Sequence, residues 1–369
     1  MREFDDRYAE IPQPELYERI RAAKEKLGGE VLILAHHYQP QETFQFADVT
    51  GDSLKLSEQA ATAQDARYIV FCGVYFMAEV ARTLCGQKQR VILPDFSAGC
   101  YLANTASAEA LEQAWSHIGE RFGGQKVVPV FYINSSAAIK AFCGRHDGVI
   151  CTSGNASAVM SWALERGDIV LFAPDQHLGR NTAVAMGMAL ADTALYNPEL
   201  PDGGMGQLHE QPRVILWPGC CNVHMYFTVD DIARVRREHP NVRVIVHPEC
   251  RYEVVRAADM AGSTEAIIRA VEQSEDGSVW AVGTEKDMVD RLAEKMKGRK
   301  TVMNLSPLQT YCETMKRCTA ARLLWVLENL AAGQVVNEVF VNEHQRHDAL
   351  VALQRMLALR SENPGTIKR

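Results

Sequence analysis

The chain has 369 residues, a formal charge of −7, 47% apolar and 23% charged residues, as in a globular protein with a sizeable core. An acidic balance without a Lys/Arg run argues against a general nucleic-acid surface or a polybasic membrane patch. The opening MREFDDRYAEIPQPE lacks the apolar core of a signal peptide, and no apolar run approaches the roughly 20 residues of a membrane span. The expectation is a cytoplasmic protein whose ten cysteines stay reduced rather than forming a disulfide framework.

Short Val/Ile/Leu runs alternate with helical stretches along most of the chain. In order they are VLILAHHY (31–38), YIVFCG (68–73), RVILPD (90–95), KVVPVFYIN (126–134), GVICTSG (148–154), IVLFAPD (169–175), RVILWPG (213–219), VRVIVHPE (242–249), VWAVGTE (279–285) and TVMNLSP (301–307). Each is continuously apolar, as parallel strands covered on both faces require. The pattern predicts an α/β fold of short parallel sheets with right-handed crossovers.

The runs fall into three groups whose first strands begin near 31, 127 and 213, so three similar α/β/α units are expected. Their bounds are 1–107, 108–200 and 201–307. The Pro/Gly-rich stretch 196–213 reads as the clearest linker. Beyond it, AARLLWVLENL presents an apolar face at Leu323, Leu324, Leu327 and Leu330 and ends near Gly333, a helix with a glycine stop. A second helix is expected near 348–360. With no further strand unit after them, the segment 308–369 is expected to complete the first unit.

Ligands of parallel α/β sheets bind beyond the carboxyl ends of the strands, and the unusual polar residues cluster there. His36, His37 and Tyr38 follow the first strand of unit one, and Tyr132 and Asn134 that of unit two. Cys220, Cys221 and His224 follow the run at 213–219. Later strands end in Cys100, in Asp175 and His177, and in His247, Glu249 and Cys250. A lone strand-end histidine is more often a hydrogen-bonded structural residue, but recurrence in every unit points to a shared site. Gly/Ser/Thr turns precede helices at Thr50–Ser53, Thr152–Ser153 and Gly262–Thr264. Such turns are common helix caps. Three matched ones suit a ligand with several anionic groups, since helix N-termini attract anions. No Walker A or GxGxxG sequence accompanies them, which disfavours a nucleotide.

Cys100, Cys221 and Cys312 each stand just past an apolar run, roughly a hundred residues apart. Cys72, Cys85, Cys143 and Cys151 read as core residues. Three thiolates with one open position suit a 4Fe-4S cluster whose remaining iron acts as a Lewis acid on a substrate oxygen. A catalytic zinc is the competing reading and would more often include histidine. A zinc-dependent or metal-free aldolase or phosphatase, and a non-enzymatic iron–sulfur carrier, are the rival functions.

These residues resemble the bacterial quinolinate synthase family over nearly the whole chain. The resemblance rests on LAHHYQ, ADVTGDSLKLS, FMAEVA, SAGC, YIN, TSGNA, PDQHLG, CCNVH, VHPEC, AGSTEAII, GTEKDMV and the CxxMK at Cys312. It implies three similar α/β/α domains related by a pseudo-threefold axis around a central active site. It also implies that each domain gives one cysteine to a 4Fe-4S cluster, through Cys100, Cys221 and Cys312, with Cys221 rather than Cys220 the ligand. The implied reaction condenses iminoaspartate with dihydroxyacetone phosphate and releases phosphate and two waters to give quinolinate. The iminoaspartate site would take His36, Ser53, Tyr132, Asn134, Ser153, His224, His247, Glu249, Ser263 and Thr264. Tyr38 would transfer protons or gate substrate, and His36, Tyr132, His247 and Glu249 are acid/base candidates, with Glu249 the expected general base. The family pathway implies an aspartate oxidase or dehydrogenase upstream. The tail reads Cys312-x5-Cys318, so no regulatory disulfide of the tight CxxCxxC kind is expected.

Overall fold

The computed structural model describes residues 3–63, 65–208, 211–359 and 366–367. Residues 209–210 of the expected linker and 360 of the last expected helix lie outside them. The chain divides into two compact units, residues 1–100 with 311–342, and residues 101–310 with 343–369.

The first unit holds one parallel sheet of β1 (Val31–His36), β2 (Val49–Gly51), β3 (Tyr68–Cys72) and β4 (Arg90–Ile92), in the order β2-β1-β3-β4. Every residue of β3 is buried, as its unbroken apolar sequence requires. Against the sheet lies a core of Ile20, Leu27, Ile33, Val70, Leu323, Leu324 and Leu327. It joins the helix Gln13–Leu27 to the helix Ala320–Ala331, which Thr319 caps by accepting the Arg322 N–H at 3.3 Å.

The second unit holds two sheets. One contains β5 (Val127–Tyr132), β6 (Val149–Cys151), β7 (Ile169–Ala173), β8 (Thr193–Leu195) and β9 (Val214–Leu216), ordered β6-β5-β7-β9-β8 and parallel throughout. The other contains β10 (Arg243–Val246), β11 (Met260–Gly262), β12 (Val279–Gly283), β13 (Thr301–Asn304) and β14 (Thr366–Ile367), ordered β13-β12-β10-β11-β14. Only β14 runs antiparallel there. The fold is α/β, with three short parallel sheets flanked by helices. In each sheet the second strand, the first and the third are neighbours in that order, and a later strand pairs beyond the third.

Two expectations are corrected. The run at 213–219 does not open the third unit. It supplies β9, the last strand of the second sheet in chain order, paired with β7 and β8. The stretch from 196 is accordingly a tethered excursion of that sheet. Tyr196 is 2% exposed, its N–H donates to the Leu216 carbonyl at 2.9 Å, and its ring stacks on Trp217 at 5.6 Å. Composition does not distinguish a tethered loop from a linker; a buried aromatic does.

The helix Glu343–Ala358 belongs to the second unit rather than completing the first. It lies on the helix Ala137–Arg145, where Gly144 leaves room for the Asp348 carbonyl that any Cβ would strike. Arg355 donates to the Gly148 carbonyl at 2.7 Å and fixes the far end.

With β9 reassigned, the three singled-out cysteines share one topological position. Cys100 follows β4, Cys221 follows β9 and Cys312 follows β13, each the strand that pairs with the outer side of its sheet's third strand.

Candidate active site

In the first unit β1 ends at His36, which pairs in register with Gly51 of β2. The Tyr38 N–H donates to His36 Nδ1 at 3.1 Å. A backbone amide can only donate, so Nδ1 holds a lone pair and the imidazole is neutral with its proton on Nε2. Tyr38 lies edge-on to that ring, centroids 4.6 Å apart, and both residues are buried. Asp52 caps the helix Ser53–Thr62 by accepting the Lys55 N–H at 3.1 Å, which leaves Ser53 at the first helical position.

The same unit carries two of the cysteine loops. After β4, Asp95 accepts the Ser97 N–H at 2.8 Å and pairs with Arg322 at 3.1 Å. Arg317, from the turn after Cys312, donates to Ser97 Oγ at 2.8 Å. Gln39 donates to the Met315 carbonyl at 2.8 Å, and Thr43 to that of Cys318 at 2.8 Å. The segments holding Cys100 and Cys312 are therefore tied together by charged and polar side chains. Cys318 itself is buried against the Gly73 carbonyl, and burial pushes its thiol up to about 12.

In the second unit the strand ends build one buried cluster. β5 ends at Tyr132, whose phenol donates to Glu249 Oε1 at 2.6 Å. His224 Nδ1 stands 3.3 Å from Glu249 Oε2, and His247 Nδ1 stands 3.6 Å from Oε1. The two imidazoles stack at 4.4 Å with 12° between their planes, and His224 Nε2 meets Thr284 Oγ1 at 3.4 Å. The Glu249 N–H donates to His247 Nδ1 at 3.3 Å, repeating the His36–Tyr38 arrangement and fixing the same tautomer. Burial alone would raise the Glu249 carboxyl, but the imidazoles of His247 and His224 and the Tyr132 phenol outweigh it and hold it at about 2. Burial, reinforced by His224, lowers His247 to about 3. The cluster is a buried carboxylate between a tyrosine phenol and two stacked imidazoles.

The same unit carries other expected residues. Asn134 Oδ1 is buried and makes no hydrogen bond. Ser153 is half-buried in a turn closed by Asn155, whose Oδ1 accepts the Thr152 N–H at 2.8 Å. Ser263 caps the helix Thr264–Gln273 by accepting the Ala266 N–H at 3.4 Å. Thr264, like Ser53, is therefore a first helical residue, whereas Ser153 precedes its helix, Ala156–Leu164. Asp175 caps the helix Gln176–Ala185 through Leu178 at 2.7 Å, and its other oxygen accepts the Cys221 N–H at 3.3 Å. Burial, then repulsion from Glu249, raises its carboxyl well above the usual range. His177 is pushed down to about 4 by burial and by Arg180. Cys221, His224 and Glu249 present ligand atoms within 4.8 Å of one another. Thr284 was not singled out by sequence; GTEKDMV carried it, but a strand-end threonine has no distinguishing spacing.

Parallel α/β sheets with strand-end histidines, tyrosines, a buried carboxylate and partly exposed cysteines define a metal-capable α/β enzyme. The chain belongs to the family described as quinolinate synthetase A protein, whose model matches residues 18–358. It is similar to a protein named quinolinate synthase from Streptomyces coelicolor, 51% identical over 94% of this chain and 89% of that one. Proteins of the same name from Nocardioides sp. (49%, covering 94% and 90%) and Corynebacterium glutamicum (46%, covering 98% and 92%) are similar as well. Among the described residues no helix is long and apolar enough to cross a membrane.

Proposed function

We infer that the protein is a quinolinate synthase, joining iminoaspartate to dihydroxyacetone phosphate and releasing quinolinate, phosphate and two waters. The observation that carries this reading is family membership across residues 18–358. The buried Tyr132–Glu249–His224–His247 cluster supports it. A cytoplasmic setting, with an aspartate oxidase or dehydrogenase supplying iminoaspartate, completes it.

The donor set fits an iron–sulfur cluster. Six of the ten cysteines are buried, while Cys100, Cys220, Cys221 and Cys312 are partly exposed. Cys100, Cys221 and Cys312 are the proposed thiolate ligands, and each follows the strand that pairs with the outer side of its sheet's third strand. Cys221 is favoured over Cys220 because its sulfur lies with His224 and Glu249. A 4Fe-4S cluster held by three thiolates supplies Lewis-acid chemistry to a substrate carboxylate or hydroxyl oxygen.

The remaining work falls to the chain's own groups. His36 and His247, with Nδ1 engaged by backbone N–H groups, offer Nε2–H to substrate oxygens. The helix starts at Ser53 and Thr264, with Ser153 and Ser263, take the carboxylates and phosphate. Asn134 Oδ1 accepts a hydrogen bond from an imine N–H or a hydroxyl. Glu249 stays ionised before substrate binds. The substrates' anionic groups then raise its proton affinity, turning a weak base into an effective one for enolisation. Tyr132 relays that proton or donates to a developing oxyanion, and Tyr38 transfers protons or admits substrate beside His36.

The grouping of Cys221, His224 and Glu249 favours one second reading, a mononuclear zinc site at those residues. Anaerobic purification with metal and sulfide analysis separates the two. About four irons with matching sulfide, absorbance at about 400 nm and quinolinate formation are expected. One zinc without iron or sulfide would overturn the cluster.

A further inference from the structure

We infer that Asn181 is the positioning residue for Glu249. It lies on the helix Gln176–Ala185, far in sequence from the His247–Cys250 turn, and is 3% exposed. Its one amide nitrogen donates to two carbonyls, that of Pro248 at 2.8 Å and that of Cys250 at 2.8 Å. The first belongs to the peptide that enters Glu249, the second to the peptide that leaves Cys250. Both N–H bonds of the amide are thus used to bracket Glu249 and Cys250.

The turn needs such a clamp. The Cys250 N–H closes it on the His247 carbonyl at 3.0 Å, but the Pro248 nitrogen cannot donate. The Pro248 and Cys250 carbonyls face the neighbouring helix, where a buried acceptor without a donor is costly. Asn181 satisfies both and thereby sets the direction of the Glu249 side chain toward Tyr132 and His224. The same helix begins at Asp175, which accepts the Cys221 N–H. One rigid element therefore carries the supports of both the Glu249 turn and the Cys221 loop. Rigid mounting of this kind is what a reactive carboxylate requires, since a shift of about 1 Å costs on the order of a hundredfold in rate.

The inference rests on Glu249 serving the reaction, and a double-mutant cycle of Asn181→Leu and Glu249→Gln keeps the two apart. Leu matches the shape of Asn and removes both donors. Expected for N181L are an unchanged cluster absorbance, a KM within about threefold of wild type and a kcat lowered about thirtyfold, on the scale of a misplaced catalytic group. The double variant should be no slower than E249Q alone, because Asn181 acts through Glu249. A merely structural role would lower the melting temperature and give losses that multiply. Multiplying losses, or N181L at normal turnover beside an impaired E249Q, would overturn the inference alone. E249Q at normal turnover would overturn the role of Glu249 and the inference with it. Should N181L fail to fold, Asn181→Ser, which keeps one donor, carries the same comparison.

Discussion

Tyr132 and Glu249, 117 residues apart, meet in a 2.6 Å hydrogen bond that joins the end of β5 to the turn after β10. The bond binds two sheets of one unit through their chemistry as well as their packing. It also keeps the carboxylate turned toward the phenol, with His224 and His247 at its other sides.

Glu249→Gln removes the anion while keeping the shape. Turnover is expected to fall by at least about a hundredfold, the usual scale for a general base. Iron, sulfide and absorbance should stay at wild-type values. Near-normal quinolinate formation by cluster-replete E249Q would remove Glu249 from the mechanism.

Tyr132→Phe deletes a donor to a buried carboxylate. We expect a milder loss of roughly ten- to fiftyfold, because the imidazoles still face Glu249, with stability lower by about 1–3 kcal/mol. Steady-state kinetics and urea unfolding measure the two effects separately.

Acid should weaken the fold in two stages. His247 is depressed from 6.5 to about 3, and Glu249 from 4.5 to about 2. For both groups the folded value lies below the unfolded one. Their stabilisation is complete above the unfolded values and is lost as pH falls, from 6.5 for the imidazole and from 4.5 for the carboxyl. The slope is up to about 1.4 kcal/mol per pH unit for each proton. Urea midpoints between pH 7.5 and 5 should therefore decline less steeply in His247→Gln than in wild type. Parallel curves would contradict the neutral, buried imidazole.

Cys221→Ser and Cys220→Ser should separate cleanly. The first is expected to yield a protein without the absorbance at about 400 nm and with little iron, the second a brown protein with wild-type iron. Loss of iron in both would make the pair, rather than Cys221, the requirement.

Gly144→Ala tests the docking of the last helix. A methyl there meets the Asp348 carbonyl, so Glu343–Ala358 must shift, at a cost of about 1–3 kcal/mol. Thermal unfolding should show it, with quinolinate synthesis per folded molecule retained.

Much of this architecture was legible in the chain. All ten apolar runs became strands, because continuous apolarity is a local property that a doubly covered strand imposes. The short strands β2, β8, β11 and β14 were not visible, being two or three residues long and made by pairing rather than by pattern. The membership of β9 was misread for a similar reason. Its sequence resembles a first strand, and only Tyr196, folded onto Trp217, reveals that the preceding loop stays with the second sheet. Strand-end residues could be named, but their partners could not. Nothing in the spacing of Tyr132 and Glu249 announces a hydrogen bond, and Asn181 reads as an ordinary helix residue until its two carbonyls are seen.

The backbone N–H that fixes each imidazole at His36 and His247 makes the tautomer a property of chain path. Side chains at 38 and 249 can change without moving the proton on either ring, since the amide donor survives every replacement except proline. The hydrogen-bond polarity of each ring is therefore buffered against side-chain changes at the neighbouring positions 38 and 249. Each ring can meet new acid–base partners while its own donor stays on Nε2.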